Sequence, residues 1–98
     1  MVQYGRYKMK FTQIQVELYA VLQRLGGEFR DAYQICDELR IRYPELARQI
    51  EEEYSESRYS LAAFIANALS YFSRNDSRVQ QQGEQRNGRW AWQENLVG

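Results

Sequence analysis

The sequence predicts a mainly helical α+β domain that ends in a small β-hairpin. Apolar residues recur every three or four positions through most of the first 73 residues, which is the spacing of amphipathic helices. This period disappears after a polar turn at 73–77. Behind the turn, the short runs "RVQQQ" and "RWAWQ" flank a loop that contains Asn87-Gly88, a pair that favours hairpin turns. We therefore expect three to four helices and a C-terminal two-stranded hairpin.

Length and composition limit the classes of function. A chain of 98 residues is sufficient for one compact domain. It has no histidine and one cysteine, Cys36, so the commonest general base and a disulfide pair are both missing. We expect no enzymatic activity, no cofactor and no metal site. No apolar run reaches the roughly 18 residues that a membrane span needs, and no signal-peptide pattern follows the N-terminus, so we expect a cytoplasmic chain without a membrane partner.

Charge is segregated along the chain, although the formal net charge is zero. Residues 1–10 carry a net charge of +3 and are interpreted as a basic N-terminal arm. Residues 28–56 carry four basic and nine acidic groups, whereas residues 57–93 are again net basic. This distribution argues against a strong cationic field around the whole molecule, but it allows one basic face. Residues 94–98 are interpreted as a C-terminal tail.

Local end signals place the first helix over 13–25. Thr12 is expected to cap its start, with Phe11 and Val16 in the two positions of a hydrophobic staple. Gly26-Gly27 supplies residues that accept the left-handed conformation at a helix end. The first helix is therefore bounded on both sides.

Three further helical segments follow. Asp31 and Gln34 have the spacing of a capping box and predict a second helix over 32–43. Pro44 begins either a short third helix or a kinked continuation of the second. The strongest amphipathic pattern predicts a last helix over 58–73.

The two tryptophans belong to the second strand of the predicted hairpin. Side chains alternate between the two faces of a strand, so Trp90 and Trp92 lie on one face and Ala91 on the other. That face is shared with Val79 of the first strand. We therefore interpret the tryptophans as anchors that fasten the hairpin to the helices, and not as binding residues.

The order helix, short extended segment, helix, helix, hairpin over residues 11–93 resembles a winged helix-turn-helix domain. The chain is similar to winged-helix modules of bacterial restriction and regulatory proteins in "SLAAFIANALSYF", "SRVQQQ", "GEQRNG" and "RWAWQ". The resemblance implies binding of double-stranded DNA, with residues 58–73 as a recognition helix in the major groove and hairpin 78–93 as the wing, in transcription regulation. One departure is the acidic insertion at 44–54, which lengthens the connection before the recognition helix.

Under this resemblance, the helix positions opposite the apolar stripe and the hairpin tip are the candidate DNA contacts. Asparagine pairs with adenine, arginine pairs with guanine or phosphate, and small residues allow close approach of the helix. The DNA-binding candidates are Arg58, Tyr59, Ser60, Ala63, Asn67, Ser70 and Arg74 on the helix, with Arg86 and Arg89 in the hairpin.

Other interpretations of the same residues stay open. The polar helix face is equally typical of an ordinary solvated surface, and a hairpin tip is polar wherever it is wet. A protein-interaction or homodimerisation winged helix is the first alternative function, and an accessory domain of a larger nucleic-acid enzyme is the second. The acidic run at 51–56 is a solvated helix face, a surface that repels DNA, or a docking surface for a basic partner.

Overall fold

The computed structural model describes residues 9–54 and 60–94. Within these residues the chain forms four α-helices and three short strands, and a 3₁₀ turn precedes the first helix. The mainly helical α+β class is therefore confirmed. In chain order the elements are α1 (Gln15–Arg24), β1 (Arg30–Asp31), α2 (Ala32–Arg42), α3 (Pro44–Glu53), α4 (Leu61–Asn75), β2 (Val79–Gln82) and β3 (Arg89–Trp92).

The first helix starts differently from the sequence prediction. A 3₁₀ turn begins at Phe11, and the backbone N–H of Lys10 donates to the side-chain oxygen of Gln13 at 2.7 Å. Thr12 is therefore not the cap. The predicted hydrophobic staple between Phe11 and Val16 is also wrong, because Val16 is 77 % exposed and the ring of Phe11 packs on α4 instead.

The other helix boundaries between residues 24 and 44 follow the predicted local chemistry. Gly26 and Gly27 both have left-handed backbone, with φ of 82° and 94°. The Asp31 carboxylate accepts the backbone N–H of Gln34 at 2.9 Å, and the Gln34 side chain accepts the N–H of Asp31 at 3.1 Å, so the capping box is confirmed. Pro44 is the first residue of α3, which is a separate helix.

Helix α4 begins later than predicted. Its first residue is Leu61, and the Oγ of Ser60 accepts the backbone N–H of Ala63 at 3.2 Å as the N-cap. The predicted start at residue 58 lies outside the described residues. The helix continues to Asn75, which is two residues beyond the predicted end.

The sheet has three antiparallel strands in the order β1-β3-β2, so the expected two-stranded hairpin has an additional partner. Arg30 pairs with Trp90 on one side of β3, and Val79 pairs with Trp92 on the other side. A two-residue strand is too short to produce a recognisable alternation in the sequence. Strand β1 therefore connects the segment between α1 and α2 to the hairpin.

The hairpin turn differs from the expected Asn-Gly turn. Gln82 pairs with Arg89, so residues 83–88 form a six-residue loop that contains a 3₁₀ turn. Gly83 supplies the left-handed backbone, with φ of 84°, whereas Gly88 has φ of −80°. A Cβ at Gly88 would lie 2.7 Å from the carbonyl oxygen of Glu84. Glycine is therefore required at position 88 for close approach of the backbone.

The hairpin is fastened to a helical core, as expected for the tryptophans. Trp90 is 1 % exposed, Trp92 is 8 % exposed and Val79 is 1 % exposed. The largest buried side chains from the helices are Leu18, Val21, Leu22, Ile35, Leu39, Ile50, Phe64, Ile65 and Leu69.

Between residues 9 and 54 and between residues 60 and 94, no helix is both long and apolar enough to cross a membrane.

Candidate nucleic-acid interface

A groove of about 570 Å³ lies where the starts of α2 and α4 meet loop 83–88. Its walls combine small apolar side chains with a few polar and charged groups, which is the usual composition of binding sites. We call it the wing groove. Its lining residues are Ala32 and Tyr33 from α2, Ser60, Ala62, Ala63, Ala66 and Asn67 from α4 and its cap, and Glu84, Gln85 and Arg86 from the loop.

The α4 face that was predicted to meet DNA is recessed. From Leu61 to Ser73, none of the described side chains is exposed, and Ala63 and Asn67 are half-buried. Ser70 is 1 % exposed, so its assignment as a DNA contact is wrong. The reason is that β2 packs across this face, and the Ser70 hydroxyl donates to the side chain of Gln81. The spacing of apolar residues predicts which face of a helix packs on the core. It does not show that β2 covers a second face of α4.

Gln81 holds the hairpin on α4. Its Oε1 accepts the Ser70 hydroxyl at 2.9 Å and the indole N–H of Trp90 at 2.9 Å, and its Nε2 donates to the carbonyl of Gly83 at 2.9 Å. Gln81 was not among the residues predicted to matter for the site. The alternation that placed Val79 on the inner face also places Gln81 there, and a polar residue on an inner strand face indicates a buried hydrogen-bond network.

The loop closes over α4 through a second amide. The Nε2 of Gln85 donates to the Oδ1 of Asn67. The amide oxygen of Asn67 is therefore engaged with the loop, and a bidentate contact from Asn67 to adenine requires this bond to open. Loop and helix form one surface as a result.

The arginines divide into two groups by their partners. Three described arginines, Arg74, Arg86 and Arg89, have no carboxylate oxygen within 4.0 Å among residues 9–54 and 60–94, and all three are exposed. All three were predicted DNA contacts. In the described part of the chain, six arginines have carboxylate partners: Arg24, Arg30, Arg40, Arg42, Arg48 and Arg78.

The three unpaired arginines do not all lie together. Arg86 lines the wing groove, and Arg89 lines an adjoining cavity of about 190 Å³ beside Tyr33. Arg74 lies about 16 Å from Ala63 along α4 at a rise of 1.5 Å per residue. Arg58 and Tyr59, which were predicted to join them, lie outside the described residues.

Two carboxylates lie close to these cations. Glu84 lines the wing groove, and Asp31 lines the adjoining cavity while it caps α2. By contrast, no described residue of α3 lines the groove, and the α3 acids Glu45 and Glu52 pair with Arg48. The acidic helix α3 is thus separate from the surface that carries Arg86, whereas Asp31 of the acidic segment 28–56 lies beside it.

A charged cluster fixes the other end of the hairpin. Asp76 accepts the side chain and the backbone N–H of Arg78 and the hydroxyl of Tyr19 at 2.8 to 3.0 Å. The Arg78 guanidinium lies 4.9 Å from the ring centre of Trp92. Hydrogen bonds from Arg78 hold the pKa of Asp76 well below its usual range, whereas burial and the bond to Asp76 raise the pKa of Tyr19 to about 12. Tyr19 therefore stays a donor and Asp76 stays an anion at neutral pH.

Replacement of Asp76 by asparagine is expected to destabilise the chain by about 2 kcal/mol at pH 7, because charge-assisted hydrogen bonds are lost. A carboxyl whose pKa is lowered by folding stabilises the folded state above its unfolded pKa of about 4, and this contribution falls as the pH decreases through the acid range. Urea unfolding of both chains at neutral pH and at acid pH measures the effect. The difference in the free energy of unfolding between the two chains should become smaller at acid pH. A difference that does not change with pH would contradict the stabilising role of the Asp76 carboxylate.

Cys36 is part of the core. It is 1 % exposed on α2, and burial raises the pKa of its thiol to about 12. A thiol with this pKa stays protonated at neutral pH and is a poor nucleophile. Its position agrees with the sequence interpretation of a small core residue.

The wing groove with Arg86, and the adjoining cavity with Arg89, thus have the geometry of a binding surface. Compared with protein-family models, with curated proteins and with solved structures, the chain has no match.

Proposed function

We propose that this chain is a winged helix-turn-helix domain that binds double-stranded DNA, with loop 83–88 as the tip of its wing. The element order in residues 11–93 supports the fold assignment, since two helices with a strand between them precede α4 and the hairpin. Helix α3 is an additional helix before α4. Transcription regulation is the role that such a module most directly serves.

The observation that carries the proposal is a pair of arginines, Arg86 and Arg89, that have no carboxylate partner among the described residues and lie beside the starts of α2 and α4. Exposed arginines elsewhere in the described chain are largely neutralised by carboxylates, as Arg40 is by Glu51 at 2.9 Å. Arg86 and Arg89 have no carboxylate partner among the described residues, and they lie in the loop and strand that border the wing groove. Guanidinium groups in this situation suit phosphate oxygens, which supply most of the affinity of proteins for DNA.

The recessed position of α4 determines how the contact is made. Its central turns lie under the hairpin, so the loop and the first turn of α4 approach the duplex before the rest of the helix does. Ser60 and Ala63 lie at that first turn, where small side chains permit close approach of the backbone to phosphate. Arg74 contacts DNA only if the duplex extends along the full helix.

Replacement of Arg86 and Arg89 together by glutamine is expected to reduce the affinity for a labelled duplex by tenfold or more at low salt, because two phosphate contacts are lost. Fluorescence anisotropy measures the affinity, and circular dichroism checks the fold. The matched control replaces Arg40 and Arg48, two exposed arginines with carboxylate partners on α2 and α3. Equal losses in the two double variants, or none in either, would refute the proposed surface.

A second candidate function is homodimerisation or binding of a protein partner. Among residues 9–54 and 60–94, three large apolar side chains are mostly exposed, namely Val16 at 77 %, Tyr33 at 73 % and Ile41 at 70 %. Exposed apolar and aromatic side chains are typical of interface cores. A sedimentation mass that rises with concentration, in a chain that does not bind DNA, would favour this function.

A further inference from the structure

We propose that the wing groove holds one unpaired nucleobase, from a single-stranded tail next to a DNA duplex, stacked on the ring of Tyr33. This inference rests on the proposed function, because it uses the same surface. It adds a substrate class, since it concerns a base outside the double helix. Paired bases present only their edges in the grooves, whereas an unpaired base presents its ring faces and its pairing edge.

The lining of the groove suits a largely apolar ring. Its volume of about 570 Å³ falls within the roughly 300–1,000 Å³ of small-molecule sites. Ala62, Ala63 and Ala66 supply a floor without polar side-chain atoms or bulk. A recessed groove of this kind receives a group that projects from its partner, and an unstacked base projects in this way.

Tyr33 provides the stacking surface. It is the second residue of α2, it lines both the wing groove and the adjoining cavity, and 73 % of its surface is exposed. An aromatic ring at the edge of a groove gains favourable contact when a base stacks on it, and this gain does not depend strongly on base identity.

The polar groups of loop 83–88 match the remaining parts of a nucleotide. Arg86 carries a positive charge without a carboxylate partner among the described residues, which suits the phosphate. Glu84 presents a carboxylate, which accepts from the exocyclic amine of cytosine, adenine or guanine. Thymine has no exocyclic amine. The negative charge of Glu84 is unfavourable next to a phosphate, but it favours a hydrogen bond from the exocyclic amine of a base.

The test uses three labelled probes in fluorescence anisotropy. The first is a blunt hairpin duplex, the second is the same duplex with a short tail of cytidines, and the third carries an abasic tail of equal length. The cytidine tail should raise the affinity by roughly 5- to 150-fold, the range of base–aromatic stacking, and the abasic tail should not. Tyr33→Ala should abolish this gain, so that the variant binds the cytidine-tailed and blunt probes with equal affinity, and Tyr33→Phe should keep the gain. Ile41→Ala, which removes another exposed apolar side chain of α2, is the matched control.

The outcomes separate this inference from the proposed function. An equal gain from the abasic tail, or a gain that survives in Tyr33→Ala, overturns the base site, as does a dimer that Tyr33→Ala disrupts. Binding of the blunt duplex with no gain from either tail overturns the base site and leaves the proposed function in place. Binding of the cytidine-tailed probe without binding of the blunt duplex supports the base site and overturns the duplex proposal.

Discussion

Replacement of Trp90 by alanine is expected to reduce the free energy of unfolding by about 3–5 kcal/mol, the usual range for removal of a buried tryptophan. Trp90 is 1 % exposed, and its ring approaches Gly88 so closely that a Cβ at Gly88 would lie 3.2 Å from it. Its N–H also donates to Gln81. Because small domains are stable by only about 5–15 kcal/mol, this loss leaves the chain near its folding threshold.

The packing and hydrogen-bond contributions of Trp90 are separated by a second variant. Trp90→Phe keeps an aromatic ring in the core but removes the N–H donor, so a smaller loss of about 1–2 kcal/mol is expected. Urea unfolding followed by circular dichroism gives both values. Equal losses in the two variants would show that the hydrogen bond, and not the packing, accounts for the stabilisation.

Replacement of Gln81 by leucine is expected to cost about 2–5 kcal/mol, although leucine is apolar and of similar size. Two buried donors, the Ser70 hydroxyl and the Trp90 indole, lose their shared acceptor, and each unpaired buried group costs about 1–3 kcal/mol. The same urea unfolding measures the change.

The controls for Gln81 use its neighbours. Gln82→Leu, on the exposed side of the same strand, should change the stability by less than about 0.5 kcal/mol. Addition of Ser70→Ala to Gln81→Leu should recover part of the loss, because one of the two unpaired donors is removed. Independent, additive effects at positions 70 and 81 would mean that the two side chains do not share a network.

Several features whose chemistry is confined to three or four neighbouring residues were predictable from the sequence, although the expected Thr12 cap was not among them. The Asp31 capping box, the left-handed pair Gly26-Gly27 and the start of α3 at Pro44 are all of this kind. Their hydrogen bonds and backbone angles are decided locally, so tertiary packing does not change them.

Features that depend on distant contacts were not predictable in the same way. Phe11 packs on α4 and not on Val16. Glycine is required at position 88 by close contact with the Glu84 carbonyl and the Trp90 ring, and not by a tight Asn-Gly turn. At the site, Arg86 and Arg89 occupy an exposed loop and strand, as expected, whereas Ser70 is covered by β2. Helical periodicity carries no information about a sheet that packs on a second face, although the inward position of Gln81 was available from strand alternation.

The salt dependence of binding to a blunt duplex shows whether Arg86 and Arg89 contact phosphate. Each phosphate contact contributes a slope of about −0.9 to the logarithm of the association constant against the logarithm of salt concentration. If Arg86 and Arg89 both contact phosphate, the slope should be about −2 or steeper. Its magnitude should decrease by about 2 in the double glutamine variant. No detectable binding at low salt, or a slope that the double variant leaves unchanged, would contradict the assignment of this surface to DNA.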